Sequence, residues 1–364
     1  MQDTQQFTQL LGALAQPVFA AEGGIVTRCN RAAEALQITV GTHVTDMAEG
    51  GVYDPAQRTP MNLPLRLPSG AVADASVYPL EDKQVFVLPA TAAQTPQMDT
   101  VFYAAQSLRV PLSNLFGASG TLFPRLEELE DPAVQRSLSS LNRAFYQLLR
   151  VTCNLTDLHT ALRGEMKLRR EKTELTNFVY DLFTRTEPLC KTRGITLTCK
   201  LPPATFSGWI DRQKLERALL NVLGNAIKFT PQGGTIEMQL ARVGESAVIR
   251  IQDSGEGFDP ATISTAFSRY ARALELGDPR WGVGAGLPLA RSIAQLHGGN
   301  VVVQSERGAG ACVSLSVSLK APEAAELKLC SPVAAADYTG GYSHELTEFA
   351  DVLPLEVYDT INVN

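Results

Sequence analysis

The 364-residue chain reads as an α+β multidomain protein, and three observations predict that class. Apolar residues change period along the chain: short alternating runs precede residue 92, three-and-four spacing fills 101–162, and helices then alternate with strands from 175 to 320. Within that last stretch, three segments rich in glycine and amide side chains follow one another roughly thirty residues apart. Finally, 321–364 carries eight acidic residues against one lysine, while the rest of the chain is nearly neutral. The expected units are a small mixed module (1–92), a helical hairpin (97–168), a two-layer α/β sandwich (170–320) and an acidic C-terminal tail (321–364).

Composition narrows the function. No run approaches eighteen apolar residues, so no membrane span is expected, and the N-terminus lacks the basic-then-apolar pattern of a secretion signal. Cys29, Cys153, Cys190, Cys199, Cys312 and Cys330 are scattered without close pairs. That argues against a zinc site or a disulfide framework and fits a reducing cytoplasm. A net charge of −6 gives nucleic-acid binding no support.

In order along the chain, Phe7, Leu10, Leu11 and Leu14 have helical spacing, 18–20 and 24–27 suggest a hairpin, 30–36 a second helix, and 74–78 and 84–88 strands. That order is similar to a PAS-type sensor domain; a small mixed module of another role is the alternative. Val101, Ala105, Leu108, Leu112 and Leu115, then Val134, Leu138, Leu141, Phe145, Leu148, Leu155 and Leu162, predict two antiparallel helices with a coiled-coil seam. Two such hairpins make a four-helix bundle, and the other reading is a monomer that uses the stripe as ordinary core. His159 falls in step with this stripe and reads as a buried or seam histidine. Helices at 175–193, 211–229 and 287–297 then alternate with strands at 195–201, 235–241, 246–252, 300–305 and 311–319.

The three segments are NVLGNAIKFT (221–230), DSGEG (253–257) and GVGAGL (282–287). On a helix, Asn221 and Asn225 share a face that Lys228 joins a turn later. Amide oxygen suits Mg²⁺, which reaches a protein through one or two oxygen ligands plus a nucleotide. Asn225 is therefore the metal-ligand candidate, and Lys228 either neutralises phosphate or is an ordinary solvated lysine. Asp253 ends an alternating strand; its carboxylate either accepts from an exocyclic amine or closes an Asx-turn, and Gly255 and Gly257 permit close backbone approach. The 24 residues of 258–281 form a connection long enough to be a lid. Gly282, Gly284 and Gly286 precede a helix whose N-terminus can receive phosphate. His297, followed by Gly298 and Gly299, marks the stop of that helix and reads as structural.

In that order the segments resemble the N, G1 and G2 boxes of sensor histidine kinases, whose catalytic domain is a GHKL-type ATPase; the resemblance covers about 100–320. It implies an ATP and Mg²⁺ site built from Asn221, Asn225, Lys228, Asp253, Gly255, Gly257, Arg269, Arg272, Gly282, Gly284, Gly286 and Leu287. Asp253 would read the adenine amino group, Phe267 would hold the F-box position in the lid, and the hairpin would be HisKA-like and dimerising. In GAGAC (308–312) a hydroxyl usual in the family is missing, which predicts weaker nucleotide affinity.

The family's acceptor box, His-Glu-x-x-Thr/Asn-Pro-Leu, is here QSLRVPL (106–112). Gln106 has no nucleophilic nitrogen, Ser107 is no base at neutral pH, and Val110 cannot orient water. Pro111, which would cost about 3 kcal/mol within a helix, reads as a kink or a helix start. His344 is the other candidate acceptor, a chance likeness of SHEL (343–346) to the box being the competing explanation. The first reading is Mg²⁺-dependent γ-phosphoryl transfer from ATP to a histidine in trans, on a heterodimer mate or a partner kinase. The alternative is a pseudokinase, an ATP-gated dimeric binding module for a response regulator receiver domain or a kinase. A chaperone- or topoisomerase-type ATPase fits the nucleotide boxes but not the hairpin. In the tail, Leu346, Phe349, Ala350 and Leu353 share one face of a possible helix over 343–353, which either docks or stays disordered.

Overall fold

The computed structural model of the protein describes residues 14, 16–49, 53–68, 70, 72–80, 82–88, 97–128, 131–257, 285–321 and 337–359. The helix expected at 7–14 lies outside them apart from Leu14. Strands β1 (Val18–Glu22) and β2 (Ile25–Cys29) form a hairpin whose turn needs positive φ at Gly23 and Gly24. Asn30 caps the short helix α1 (Arg31–Ala35) by accepting from the Ala33 N–H at 3.0 Å. After α2 (Val44–Met47) come β3 (Met61–Arg66), β4 (Val72–Leu80) and β5 (Lys83–Val87). Sequence pattern misses β3, because Pro64 argues against a paired strand. The strand nonetheless pairs with β4, with Pro64 opposite Asp74.

The hairpin consists of α3 (Gln97–Glu127) and α4 (Pro132–Leu162), the second opened by Asp131 as N-cap and Pro132 at the first turn. Pro111 and Pro124 both lie inside α3, so Pro111 does not start a helix. The predicted stripe divides in two. Ala105, Leu112, Leu138 and Phe145 are buried, whereas Leu108, Leu115, Leu141 and Leu148 are 44–52% exposed.

The sandwich follows as β6 (Glu171–Glu174), α5 (Leu175–Thr192), β7 (Thr196–Lys200), β8 (Ser207–Ile210), α6 (Arg212–Phe229), β9 (Thr235–Val243), β10 (Ser246–Asp253), α7 (Gly286–Leu296), β11 (Val301–Ser305) and β12 (Ala311–Ser318). α5, α6 and α7 share one core with β9 to β12, and among the described residues β6 and β8 form a separate two-stranded sheet. The main sheet has ten strands in the order β2-β1-β5-β4-β3-β11-β12-β10-β9-β7. It therefore runs through the expected boundary between the first module and the sandwich. At the joint β3 and β11 pair antiparallel, with Asn62 opposite Val303 and Met61 opposite Gln304. Val302 is fully buried in the core of the N-terminal module, Arg291 of α7 pairs with Asp74, and Asn300 Nδ2 donates to Glu49 at 3.3 Å. Two edge strands that would otherwise expose backbone donors and acceptors cover each other here.

Of the two readings of the acidic tail, docked or disordered, residues 337–359 take the docked one. α8 (His344–Glu348) and a 3₁₀ turn (Leu355–Tyr358) pack on the body, and Leu346, Phe349, Ala350 and Leu353 join the sandwich core. The acids are not solvated as a block: several are matched one by one to arginines of the body, Glu345 to Arg185 and Asp351 to Arg150 among them. Among the described residues, no helix is long and apolar enough to cross a membrane.

Candidate functional site

The candidate site lies where the C-terminal half of α6, the end of β10 and the start of α7 converge. Asp211 sets the start of α6, its Oδ1 accepting from the Lys214 N–H and its Oδ2 from the Arg169 N–H. Its own N–H donates to His297 Nε2 at 2.9 Å, while His297 Nδ1 faces the Ile293 carbonyl at 2.8 Å. Burial pulls the His297 pKa down. A neutral imidazole with Nδ1–H donating meets both partners, which is the structural role read from the sequence.

From that anchor α6 carries Asn221, Asn225 and Lys228, and Asn221 faces the start of α7. Asn221 is only 1% exposed, and its Nδ2 donates to the Arg217 carbonyl at 3.0 Å. Its Oδ1 has no hydrogen-bond partner among the described residues and faces Gly286, where an added Cβ would lie 2.6 Å away. Gly286 is thus needed for α7 to begin so close to α6. Asn225 and Lys228 are half-buried, with Lys228 Nζ 5.8 Å from the Phe229 ring centroid, and Leu287 lies half-buried in the first turn of α7.

Asp253 closes the Asx-turn. Its Oδ1 accepts from the Gly255 N–H at 2.9 Å, which is the Asx-turn, and from the Ala311 N–H at 3.2 Å. Burial raises its pKa, outweighing the two N–H donors that lower it. A carboxylate so fixed still has a second oxygen to offer an amine donor. The glycines around it are sterically required. A Cβ on Gly255 would lie 2.5 Å from the Phe229 carbonyl oxygen, and one on Gly257 would overlap the Glu306 carbonyl at a φ of +66°. Gly310, at φ +81°, would overlap the Asp253 carbonyl in the same way.

Asn221, midway along α6, faces Gly286 at the start of α7, where Leu287 follows, while Asp253, Gly255 and Gly257 lie at and just beyond the end of β10. Phe267, Arg269, Arg272, Gly282 and Gly284 lie outside the described residues. Sequence reading misses Ala311 and Gly310 as supports of Asp253. The sequence GAGAC contained the signal, but it draws attention to a missing hydroxyl rather than to the backbone N–H that meets the carboxylate. Among the described residues no group of three or more His, Cys, Asp or Glu side chains gathers as a metal site.

The acceptor candidates lie elsewhere. Gln106, Ser107 and Val110 are exposed on α3, and Ser107 Oγ donates to the Ala104 carbonyl. His344 is held on both ring nitrogens, Nδ1 at 3.1 Å from Glu216 and Nε2 at 2.7 Å from Asp337. His159 is buried, consistent with the bland reading.

Comparison with known proteins relates the part of the chain that contains α6, β10 and α7 to a family of ATPases. The family described as "Histidine kinase-, DNA gyrase B-, and HSP90-like ATPase" matches residues 210–321. The sensor histidine kinase TmoS of Ectopseudomonas mendocina is 30% identical over 228 residues, which make up 62% of this chain and 23% of TmoS. The adaptive-response sensory kinase SasA of Synechococcus sp. (strain JA-2-3B'a(2-13)) is 30% identical over 237 residues, 63% of this chain and 62% of SasA. Among solved structures, full-length ShkA in complex with AMPPNP is 22% identical with a TM-score of 0.48, covering 63% of this chain and 47% of that one. Residues 210–321 are thus similar to the histidine kinase-, DNA gyrase B- and HSP90-like ATPases, and the two curated relatives are named as sensory kinases. It spans 23–62% of the length of the two relatives named.

Proposed function

We propose that the chain is an ATP-binding signalling module of the histidine kinase type that holds nucleotide without a phosphoacceptor of its own. The observation that carries this reading is the buried Asp253 carboxylate, fixed by Gly255 and Ala311 beside a glycine wall too tight for side chains. The residues suit an adenine nucleotide. Asp253 accepts from the adenine amine, Gly255 and Gly257 let the base lie against backbone, and Asn221 keeps an unmatched amide oxygen at the start of α7. Asn225 would supply an oxygen to Mg²⁺ and Lys228 a positive charge to phosphate; the resemblance alone adds Arg269, Arg272, Gly282 and Gly284. Bound MgATP would supply a transferable γ-phosphoryl group, for which positioning and charge neutralisation are the protein's part.

The other end of the reaction disfavours phosphorylation of this chain itself and leaves transfer to a partner's histidine as the second reading. Gln106 offers no nucleophile, and His344 spends both nitrogens on carboxylates, leaving no lone pair for attack. The N-terminal module is a PAS-type sensor; five antiparallel strands in the order β2-β1-β5-β4-β3, with small helices between β2 and β3, support it. The exposed half of the hairpin stripe supports a homodimer or a heterodimer with a related kinase. A response regulator receiver domain is the partner class that the sequence resemblance implies.

The test is titration of the full chain with Mg-AMPPNP, followed by incubation with γ-³²P-ATP alone and with receiver domains or related kinases. Saturable binding lost in D253N, with no labelled protein, supports the binding module. Label on a partner or on this chain would establish phosphoryl transfer instead, and absence of nucleotide binding would sink both.

A further inference from the structure

The C-terminal segment 337–359 touches two bodies at once. On the hairpin side, Arg143 and Gln147 of α4 both donate to the Ala350 carbonyl, at 3.2 and 3.3 Å. On the sandwich side, the end of α8 lies on α6 at Gly224, where an added Cβ would meet the Glu348 carbonyl oxygen at 3.3 Å and the Phe349 ring at 3.4 Å. Gly224 sits between Asn221 and Asn225, so the segment bears on the nucleotide helix itself.

Charge ties the two bodies together at one residue. Glu348 is fully buried, with one carboxylate oxygen 3.5 Å from Arg217 of α6 and the other 3.4 Å from Arg150 of α4. Arg217, also fully buried, reaches across to Asp157 and Asn154 of α4 and lies 4.2 Å from the Tyr338 ring centroid. Moving the sandwich away from α4 would separate these charges while they are still out of water, and an unmatched buried charge is heavily penalised. Nothing in this network is part of the candidate nucleotide site, although the Arg217 carbonyl receives the Asn221 amide.

We propose that residues 337–359 form an intramolecular clamp that holds the sandwich against α4 in one arrangement, so that any travel of the sandwich along the hairpin requires the clamp to open. The closed state is the one described. Opening exposes the apolar face of α8 together with the matched charges, which makes it an all-or-none event rather than a gradual slide.

Hydrogen–deuterium exchange and small-angle scattering on the full chain test this without reference to nucleotide. In the wild type, amides of 345–353 are expected to exchange in the slow class that contains β10 and β12. In E348Q those amides should exchange about tenfold faster, the maximum dimension should grow, and β10 and β12 should keep their protection. Fast exchange of 345–353 in the wild type, or an E348Q protein unchanged in both measurements, overturns the clamp. If E348Q loses protection throughout, D359N decides, because it removes only the carboxylate bonded to Ser139 at the far end of the segment. Loosening confined to 337–359 with a larger dimension supports the clamp, and no change or a global loss overturns it.

Discussion

Asp253 is a side chain whose usefulness depends on backbone. Two N–H groups fix one oxygen, so Asn at this position keeps the shape and changes the acceptor. D253N is expected to lower adenine-nucleotide affinity by at least tenfold, about 1.5–3 kcal/mol, with little change in melting temperature; calorimetric titration checks it. Because burial raises its pKa, this carboxyl takes up a proton at a higher pH than an exposed Asp does. Nucleotide affinity should accordingly weaken as pH is lowered toward that raised value, before solvent-exposed aspartates titrate, and D253N should lack this acid limb. Gly257→Ala combines a positive φ with overlap of the Glu306 carbonyl, so it should cost more than about 1 kcal/mol in thermal unfolding and lose binding as well. Asp253, Gly255 and Gly257 were legible in the sequence because the turn closes within two residues. Ala311 was not, since its N–H arrives from 58 residues away. Arg217 gave no signal either: a charged residue within an amphipathic helix looks solvated until the chain that buries it is known.

Among the elements, α8 shows how a helical period can be read correctly while its surroundings stay hidden. The apolar face over 343–353 is real, but the helix stops at Glu348 and its stability comes from what it meets. His344 is the titrating part. Burial alone would lower its pKa, yet the hydrogen bonds to Glu216 and Asp337 raise it above its ordinary value of 6.5. Arg185 and Glu345 complete the charges nearby. The imidazolium is better stabilised folded than unfolded, so its contribution is fully present below pH 6.5 and is lost as pH rises through the raised value. The difference in unfolding free energy between wild type and H344Q should shrink over that interval, measured by urea denaturation from about pH 5 to pH 8. The hairpin has the same character: its stripe was legible, but the split into buried and exposed halves depends on which neighbour each residue faces. If the exposed half is a dimer seam, L108K/L115K should convert a dimer to a monomer in light scattering, with the hairpin still helical by circular dichroism.

On the scale of the whole molecule, the order of elements from 175 to 320 was readable because every helix and most strands have their own period. The joint between β3 and β11 was not, because a strand edge carries no record of which edge will cover it. Val302 lies in the core of the N-terminal module although its strand belongs to the sandwich. V302K places an unmatched charge there, and an expected loss of about 3 kcal/mol should split one thermal transition into two, seen by calorimetry.

The ten-stranded sheet has one more consequence, and it concerns reciprocity. The N-terminal module and the strand that ends at Asp253 belong to one hydrogen-bonded sheet, joined further by Arg291 of α7 and Asp74 of β4. If occupancy at one end shifts affinity at the other, thermodynamic linkage requires the return effect to be equal in size. Nucleotide added at one end would then serve as a reporter for ligands of the other, and a screen for the unknown signal needs no knowledge of the output.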